Sequence, residues 1–235
     1  MAERSRPAYV LREIELFRDL ADDEIAGIGA AAPRREAGAG ELLFRPGDQR
    51  EVLFIVRAGR VRLYTIGSDG RTLTTAIIEP GGVFGEMVPL GQTMAGTFAE
   101  SLEPSTLCVM SRGDVERLLL ADPRVAARIA GFLGRRVAEL ESRLSDTVLK
   151  SAPDRIASSL ARLAHGGGGT IRLTHEQLAE LVGTTRETVT KVLGELVARG
   201  LVQLRRGRIV VTNPQDLRGL AAAGGLTLAI GGYRR

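Results

Sequence analysis

Apolar and polar positions along the chain follow several successive rhythms. Over residues 12–32 the apolar ones recur at helical spacing (Ile14, Leu16, Phe17, Leu20, Ile25, Ile28), which predicts two short helices. From Ala37 the texture changes to the short β-branched runs "ELLFRPGD", "EVLFIVRAGRVRLYTI", "RTLTTAIIE" and "STLCVMS", separated by Pro-Gly, Ala-Gly, Ser-Asp-Gly and Pro-Gly-Gly. Many short strands at close spacing predict an antiparallel barrel or sandwich of about 70 residues. "GSDGR" (Gly67 to Arg71) has the composition of a hairpin tip.

Helical spacing resumes at "SRGDVERLLL", and Asp122-Pro123 reads as the N-cap and first residue of a long helix. Ile129, Leu133, Val137, Leu140, Leu144 and Val148 recur every three or four residues to about Lys150, with Arg135, Arg136, Glu139 and Arg143 on the opposite face. A helix of roughly 28 residues is about 42 Å long, more than a small barrel can cover. An apolar stripe of that length calls for a partner helix, so these six residues are the candidate seam of a symmetric homodimer. Packing wholly within the chain is the competing use. Ser151 with Asp154 resembles a capping box opening "DRIASSLARLA". "HGGGGT" is flexible punctuation, and "GLTLAIGGYRR" at the end is expected to be a loose tail. The expected division is residues 1–121 as the barrel with its N-terminal helices, 122–150 as the dimerisation helix, and 151–235 as a further domain with the tail.

That last domain holds the most informative pattern, "LTHEQLAELVGTTRETVTKVLGELVARGLVQLRRGRIVV". Thr174 and Gln177 form a capping box for a short helix with Leu178, Leu181 and Val182 inward, and Gly183 makes a turn. Thr184 with Glu187 is a second capping box, and the helix it opens buries Val189, Val192, Leu193, Leu196 and Val197. Its outer face carries Glu187, Thr190, Lys191 and Gly194, with Arg186 on the flank of the first turn. Two short helices about a glycine, the second outwardly polar, are a helix-turn-helix. "LVQL-RRGR-IVV" then reads as a two-stranded wing with a basic tip.

Early residues of a recognition helix reach base edges in the major groove of double-stranded DNA. Arg chelates guanine, Glu accepts from cytosine N4, and Lys donates to guanine. Arg205, Arg206 and Arg208 suit phosphates, which position without specifying sequence. Thr174, His175, Thr184, Thr185 and Thr190 complete the candidate DNA-binding set. The competing uses are that Glu187 only caps its helix and Lys191 only solvates. Charge agrees with a polyanion partner: residues 151–235 hold 12 Lys and Arg against 6 Asp and Glu, whereas residues 1–150 hold 20 against 22. The chain has 30 Arg but only two Lys, and one of those is Lys191.

The remaining composition narrows the alternatives. Hydrophobic residues at 44% and charged ones at 26% are those of an ordinary globular protein. No run approaches the roughly 20 apolar residues of a membrane span, and "MAERSRPAYV" lacks a signal-peptide core, so a cytoplasmic protein without a membrane partner is expected. A lone cysteine, Cys108, excludes an intrachain disulfide and a cluster held by several thiolates. His165 and His175 both lie in the C-terminal third, which argues against zinc shared with Cys108 and against a metal enzyme built on the barrel. No enzyme and no metal site are expected.

With these residues in hand, the chain resembles the CRP/FNR superfamily of bacterial transcription regulators. The resemblance covers about residues 12–215 and rests on "FRPGD…LFIVRAGRVRLYTIGSDGR…GGVFGE", the long helix, and "LTHEQLAELVGTTRETVTKVL". It implies an α+β protein: an N-terminal double-stranded β-helix (jelly-roll, cyclic-nucleotide-binding-like) barrel, a dimerising helix, and a C-terminal winged helix-turn-helix. Arg186, Glu187 and Lys191 match the family's Arg-Glu-x-x-x-Arg/Lys pattern, which implies a TGTGA-type half-site and, in a dimer, a palindrome. The usual output implied is activation through RNA polymerase contact.

The sensor departs from that family. Gly85-Glu86 match, but the Arg-Ser/Thr pair that clamps a cyclic phosphate is here Gly96-Thr97. Aligning the helix puts Leu140 and Glu141 where the family presents Thr and Ser to adenine. No Lys, Arg or His occurs between Arg71 and Arg112. Cyclic AMP is therefore not expected as an effector and no cofactor is expected: the protein is either active without a ligand or tuned by an unidentified one, the alternatives being a cyclic-AMP-responsive regulator with an atypical pocket and a ligand-sensing module with vestigial DNA binding. Glu86 is expected to be structural, and Gly85 to be kept because the barrel needs the turn.

Overall fold

A computed structural model describes residues 33–48, 50–121, 123–166 and 169–224. The two expected N-terminal helices, the Asp122 cap and the C-terminal tail lie outside the described residues. The chain divides into two compact units, with the division between Val137 and Ala138.

Among the described residues the first unit holds eight strands: β1 (Arg34–Ala37), β2 (Leu42–Phe44), β3 (Val52–Ala58), β4 (Val61–Ile66), β5 (Thr72–Ile78), β6 (Val83–Glu86), β7 (Phe98–Ser101) and β8 (Ser105–Ser111). They form two four-stranded sheets, ordered β1-β8-β3-β6 and β2-β7-β4-β5, with every pairing antiparallel. The chain passes from one sheet to the other at most steps, as a jelly roll does. At the expected hairpin tip, Gly67 N–H donates to Arg71 O at 2.8 Å and Arg71 N–H to the Asp69 carboxylate.

Between the sheets lies a core with Phe54, Val56, Phe84 and Leu107 from one and Phe44, Val61, Leu63 and Ala99 from the other. Phe54 and Phe84 stack at 4.9 Å. The unbroken apolar run of β3 has a simple cause. Phe54 and Val56 enter this core, while Leu53 and Ile55 enter a second one on the other face. Gly85, at φ 134°, sits where a Cβ would lie 2.1 Å from Val52 O, so the β3–β6 pairing itself requires glycine.

The second core is capped by α1 (Arg112–Ala121) and the first half of α2 (Pro123–Leu149), through Val115, Val125 and Ile129. The 27 residues of α2 match the expected length. Its stripe is divided, however. Ile129 is only 3% exposed and Leu133 packs beside it on the barrel, whereas Val137, Leu140, Leu144 and Val148 are exposed. Ile129 is thus removed from the candidate seam: the sheet covers it, and packing within the chain takes the first half of the helix.

The second unit contains the end of α2, then α3 (Ala152–Gly166), β9 (Thr170–Ile171), α4 (His175–Val182), α5 (Arg186–Ala198), β10 (Val202–Arg205), β11 (Arg208–Val211) and α6 (Pro214–Ala222). Ser151 caps α3 as expected, its Oγ accepting from Asp154 N–H and donating to the Asp154 carboxylate. Two elements were not expected from the sequence. β9 extends the wing to a three-stranded sheet, β10-β11-β9, and α6 packs against α3. Asn213 opens α6 by accepting from Gln215 and Asp216 N–H, with Pro214 at its first position. Among the described residues no helix is long and apolar enough to cross a membrane.

Ile129→Ala should lower the unfolding free energy by about 2–5 kcal/mol in urea titrations, the cost of a cavity in a closed core. A cost below about 1 kcal/mol would return Ile129 to the exposed stripe.

Candidate nucleic-acid interface

The interface is assembled from the start of α4, the start of α5 and the wing. At α4, Thr174 Oγ1 accepts from Gln177 N–H and the Gln177 side chain returns a bond to Thr174 N–H, the expected capping box. Leu178, Ala179, Leu181 and Val182 are buried, and Gly183 turns the chain at φ 67°.

The opening of α5 corrects the expectation. Thr184 N–H closes the turn onto Ala179 O at 3.0 Å, which leaves the extended Thr185 as N-cap, accepting from Thr188 N–H. Thr184 is not the cap. Glu187 becomes the second helical residue, and its carboxyl is held below its usual range by its own N–H and by the Thr185 hydroxyl. Val189, Val192, Leu193 and Leu196 are buried as expected, but Val197 is 42% exposed. Eight residues on, a 3.6-residue helix has rotated about 80° away from Val189.

Arg186, Glu187, Thr190, Lys191 and Gly194 are all exposed. Three threonines of the candidate set already have work for their hydroxyls. Thr174 and Thr185 cap helices, and Thr190 Oγ1 lies 2.9 Å from Arg186 O and 2.8 Å from His175 Nδ1. Thr184 is half-buried. In the wing Arg205 pairs with Arg208 across a tip formed by Arg206 and Gly207, and all three arginines are exposed. Between wing and helices is a cleft of about 530 Å³, lined by His175, Glu176, Arg186, Arg205 and Arg208 with Leu173, Leu204 and Ile209. Three guanidiniums around one cleft suit a polyanion.

The Gly-Glu corner lies in the first unit. The Glu86 carboxylate accepts from Met94 N–H at 2.6 Å and from the Thr93 hydroxyl at 3.4 Å. Thr97 N–H closes a turn onto Met94 O at 2.9 Å, with Gly96 at φ 69° inside it. That backbone favours glycine over arginine. Met94 is 4% exposed and joins the core between the sheets. Leu140 and Glu141, the other two candidate pocket residues, are exposed residues of the second unit.

Residues 34–122 match the model of the cyclic nucleotide-binding domain, and residues 154–220 that of the Crp-like helix-turn-helix domain. A protein of Thermus thermophilus named cyclic AMP receptor protein is 33% identical over 207 residues, covering 88% of this chain and 96% of that protein. The chain belongs to the CRP/FNR family. The family's transcriptional regulator SdrP of the same organism is 32% identical, over 80% of this chain and 93% of its own. Among solved structures, FixK2 of Bradyrhizobium japonicum superposes with a TM-score of 0.72 at 25% identity, over 80% of this chain and 96% of that one. The c-di-GMP responsive regulator CLP of Xanthomonas campestris gives 0.70 at 26%, over 82% and 100%. This CRP/FNR chain is thus a transcription regulator with a DNA-binding helix-turn-helix, in a family of regulators rather than enzymes.

Two functional residues escaped the sequence reading. Arg155 Nε donates to Val182 O at 3.1 Å, Nη2 to Gly183 O at 3.2 Å and Nη1 to Lys150 O at 3.1 Å. Arg143 Nη2 donates to Leu181 O at 2.9 Å. Burial pulls the Arg143 guanidinium below its usual range, as does nearby Arg162, against Glu139. Both arginines stand beside acidic or polar neighbours in sequence, so only their distant carbonyl partners reveal the role.

Thr185→Ala should cost about 1 kcal/mol in thermal or urea unfolding, and Thr184→Ala clearly less. The opposite ranking would restore Thr184 as the cap. Arg155→Ala should cost about 1.5–3 kcal/mol and Arg155→Lys should recover only part of it, since one ammonium cannot span three separated carbonyls. The lowered Glu187 carboxyl has the opposite sign from a histidine: its stabilising share is present at neutral pH and is lost as pH falls through the lowered value.

Proposed function

We propose that this chain is a homodimeric, sequence-specific regulator that reads a TGTGA-type palindrome and is active without cyclic AMP. One observation carries the reading of DNA. Helix α5 buries its apolar face and leaves Arg186, Glu187 and Lys191 exposed on its outer one. Arg186 and Lys191 then address guanine, and Glu187 cytosine N4. The cap bonds of Glu187 do not exhaust a carboxylate, which has about four acceptor positions. Arg205, Arg206 and Arg208 hold phosphates. The exposed Val137, Leu140, Leu144 and Val148 form the twofold seam. Activation by contact with RNA polymerase is the output.

The corner supports independence from cyclic AMP. Its carboxylate is engaged by Met94 and Thr93, glycine stands where the phosphate clamp would be, and no cation occurs between Arg71 and Arg112. These residues do not fit a cyclic phosphate. A cyclic-AMP-responsive regulator is the second reading, favoured by the names of the Thermus relative and of a Mycobacterium tuberculosis relative called a cAMP-activated regulator.

The two readings separate in a binding titration of the purified protein on a TGTGA…TCACA duplex, with and without cyclic AMP. Tight, specific binding unchanged by cyclic AMP is expected; a large gain with cyclic AMP would establish the second reading. On the same duplexes Lys191→Ala should relax discrimination at one base pair by about 1–3 kcal/mol, while Arg206→Ala weakens every sequence alike. Identical behaviour of the two variants would refute the division between reading and positioning.

A further inference from the structure

Apolar packing joins α3, α4, α5 and α6 into one body. Ile156 and Leu160 of α3, Leu178 of α4, Val189 of α5 and Leu217 of α6 are fully buried, and α3 packs against the other three helices. Helix α2 enters this body differently. Leu140, Leu144 and Val148 stay exposed along its last part, and it meets α3 at a corner of two residues, Lys150 and Ser151. Each residue carries two soft backbone dihedrals, so a corner of this kind sets no angle by itself.

Three cationic side chains brace that corner. Lys150 Nζ donates to the Asp146 carboxylate, one turn back on α2, and to Ser158 Oγ on α3, both at 2.9 Å. Arg155, on α3, donates to Lys150 O and to Val182 O and Gly183 O in the turn after α4. Arg143, on α2, donates to Leu181 O at 2.9 Å. The ties form a triangle. Lys150 joins α2 to α3, Arg155 joins α3 to the turn, and Arg143 joins the turn back to α2. A triangle of fixed sides has no free angle, and removal of one side leaves a hinge. The donors are charged, which makes each bond roughly twice as strong as a neutral one.

Stiffness at this corner bears on DNA. In a twofold dimer seamed along α2, the offset between the two α5 helices is set by the angle from α2 to α5, counted once in each protomer. Half-sites one helical turn apart stand about 34 Å from centre to centre. One inserted base pair moves a half-site by about 3.4 Å and turns it by about 35° around the duplex. A braced head follows that change only by deforming the DNA, which costs affinity. A hinged head follows it freely. We propose that Arg143 is a specificity-determining residue: with Lys150 and Arg155 it fixes the half-site spacing that the dimer accepts, while the bases are read elsewhere. It rests on the dimeric DNA reading above and adds a second kind of selectivity to it.

Two measurements on the full-length protein test this. The first needs no DNA. Nitroxides on Ser142→Cys and Gly194→Cys, both exposed positions, mark α2 and α5, and Cys108 is buried and does not compete for the label. Pulsed electron resonance with unlabelled protein in excess should give one narrow intramolecular distance. Arg143→Met should broaden it, and Arg143→Lys, which keeps a charged donor, should narrow it again. An equally narrow distance in Arg143→Met would overturn the proposal whatever the protein does with DNA. The second compares TGTGA…TCACA duplexes whose half-sites stand one helical turn apart with duplexes one base pair longer or shorter between them. The unsubstituted protein should lose about tenfold or more in affinity on either change, and Arg143→Met should reduce that loss to about threefold or less. Weaker binding shared equally by all three spacings would mark damage to the fold and refute the spacing role. A broadened distance in Arg143→Met, with no preference of the unsubstituted protein for TGTGA…TCACA, would support the brace while removing the sequence-specific reading.

Discussion

Everything the reading head presents depends on four carbonyl oxygens finding donors. A helix leaves its last carbonyls without partners, and the end of α4 is followed at once by a turn that must hold its shape. Here Arg143 takes Leu181 O, and Arg155 takes Val182 O and Gly183 O while also holding Lys150 O at the end of α2. A guanidinium presents five N–H groups in a rigid plane, so one side chain can serve three acceptors in fixed relation. The turn is thereby fastened to α3 and to the last residues of α2. The direction of α5, and with it the aim of Arg186 and Lys191, follows from that fastening. A chain that uses arginine almost to the exclusion of lysine has ample stock for such clamps.

How much of this was legible depended on range. The helix-turn-helix announces itself because its signals are local: a threonine with a glutamine three residues on, a glycine, then apolar positions at helical spacing. Strand texture announced the barrel for the same reason. The fate of the apolar stripe of α2 was legible only in part, since periodicity marks an apolar face but not what, if anything, covers it. Ile129 and Val148 look alike in sequence, yet one meets a sheet and the other is exposed. Thr184, with Glu187 three places on, was the cap expected for α5. The choice fell to Thr185 because Thr184 N–H was already committed to Ala179 O. Lys150 O apart, the partners of Arg143 and Arg155 lie 27 to 38 residues away, beyond the reach of any local pattern. Thr190 is a milder case: its outward position was legible, but not that its hydroxyl is engaged.

In the Gly-Glu corner two neighbouring residues serve the barrel in different ways. Gly85 is demanded by the approach of β6 to Val52 O whatever the barrel is for. Glu86, one residue on, serves the fold by holding the Met94 backbone. One residue of the motif thus meets a demand of backbone geometry and the other makes an internal hydrogen bond.

Met94 carries a thermodynamic consequence. A barrel completed by a diffusible ligand gains stability by mass action, logarithmically with the ligand's free concentration. The segment Thr93–Met94 is tethered to the Glu86 that it satisfies, so it acts as a ligand whose effective concentration is set by chain length alone. Dilution does not remove it and no metabolite pool supplies it. The stability that this contact lends to the barrel is therefore a constant of the sequence.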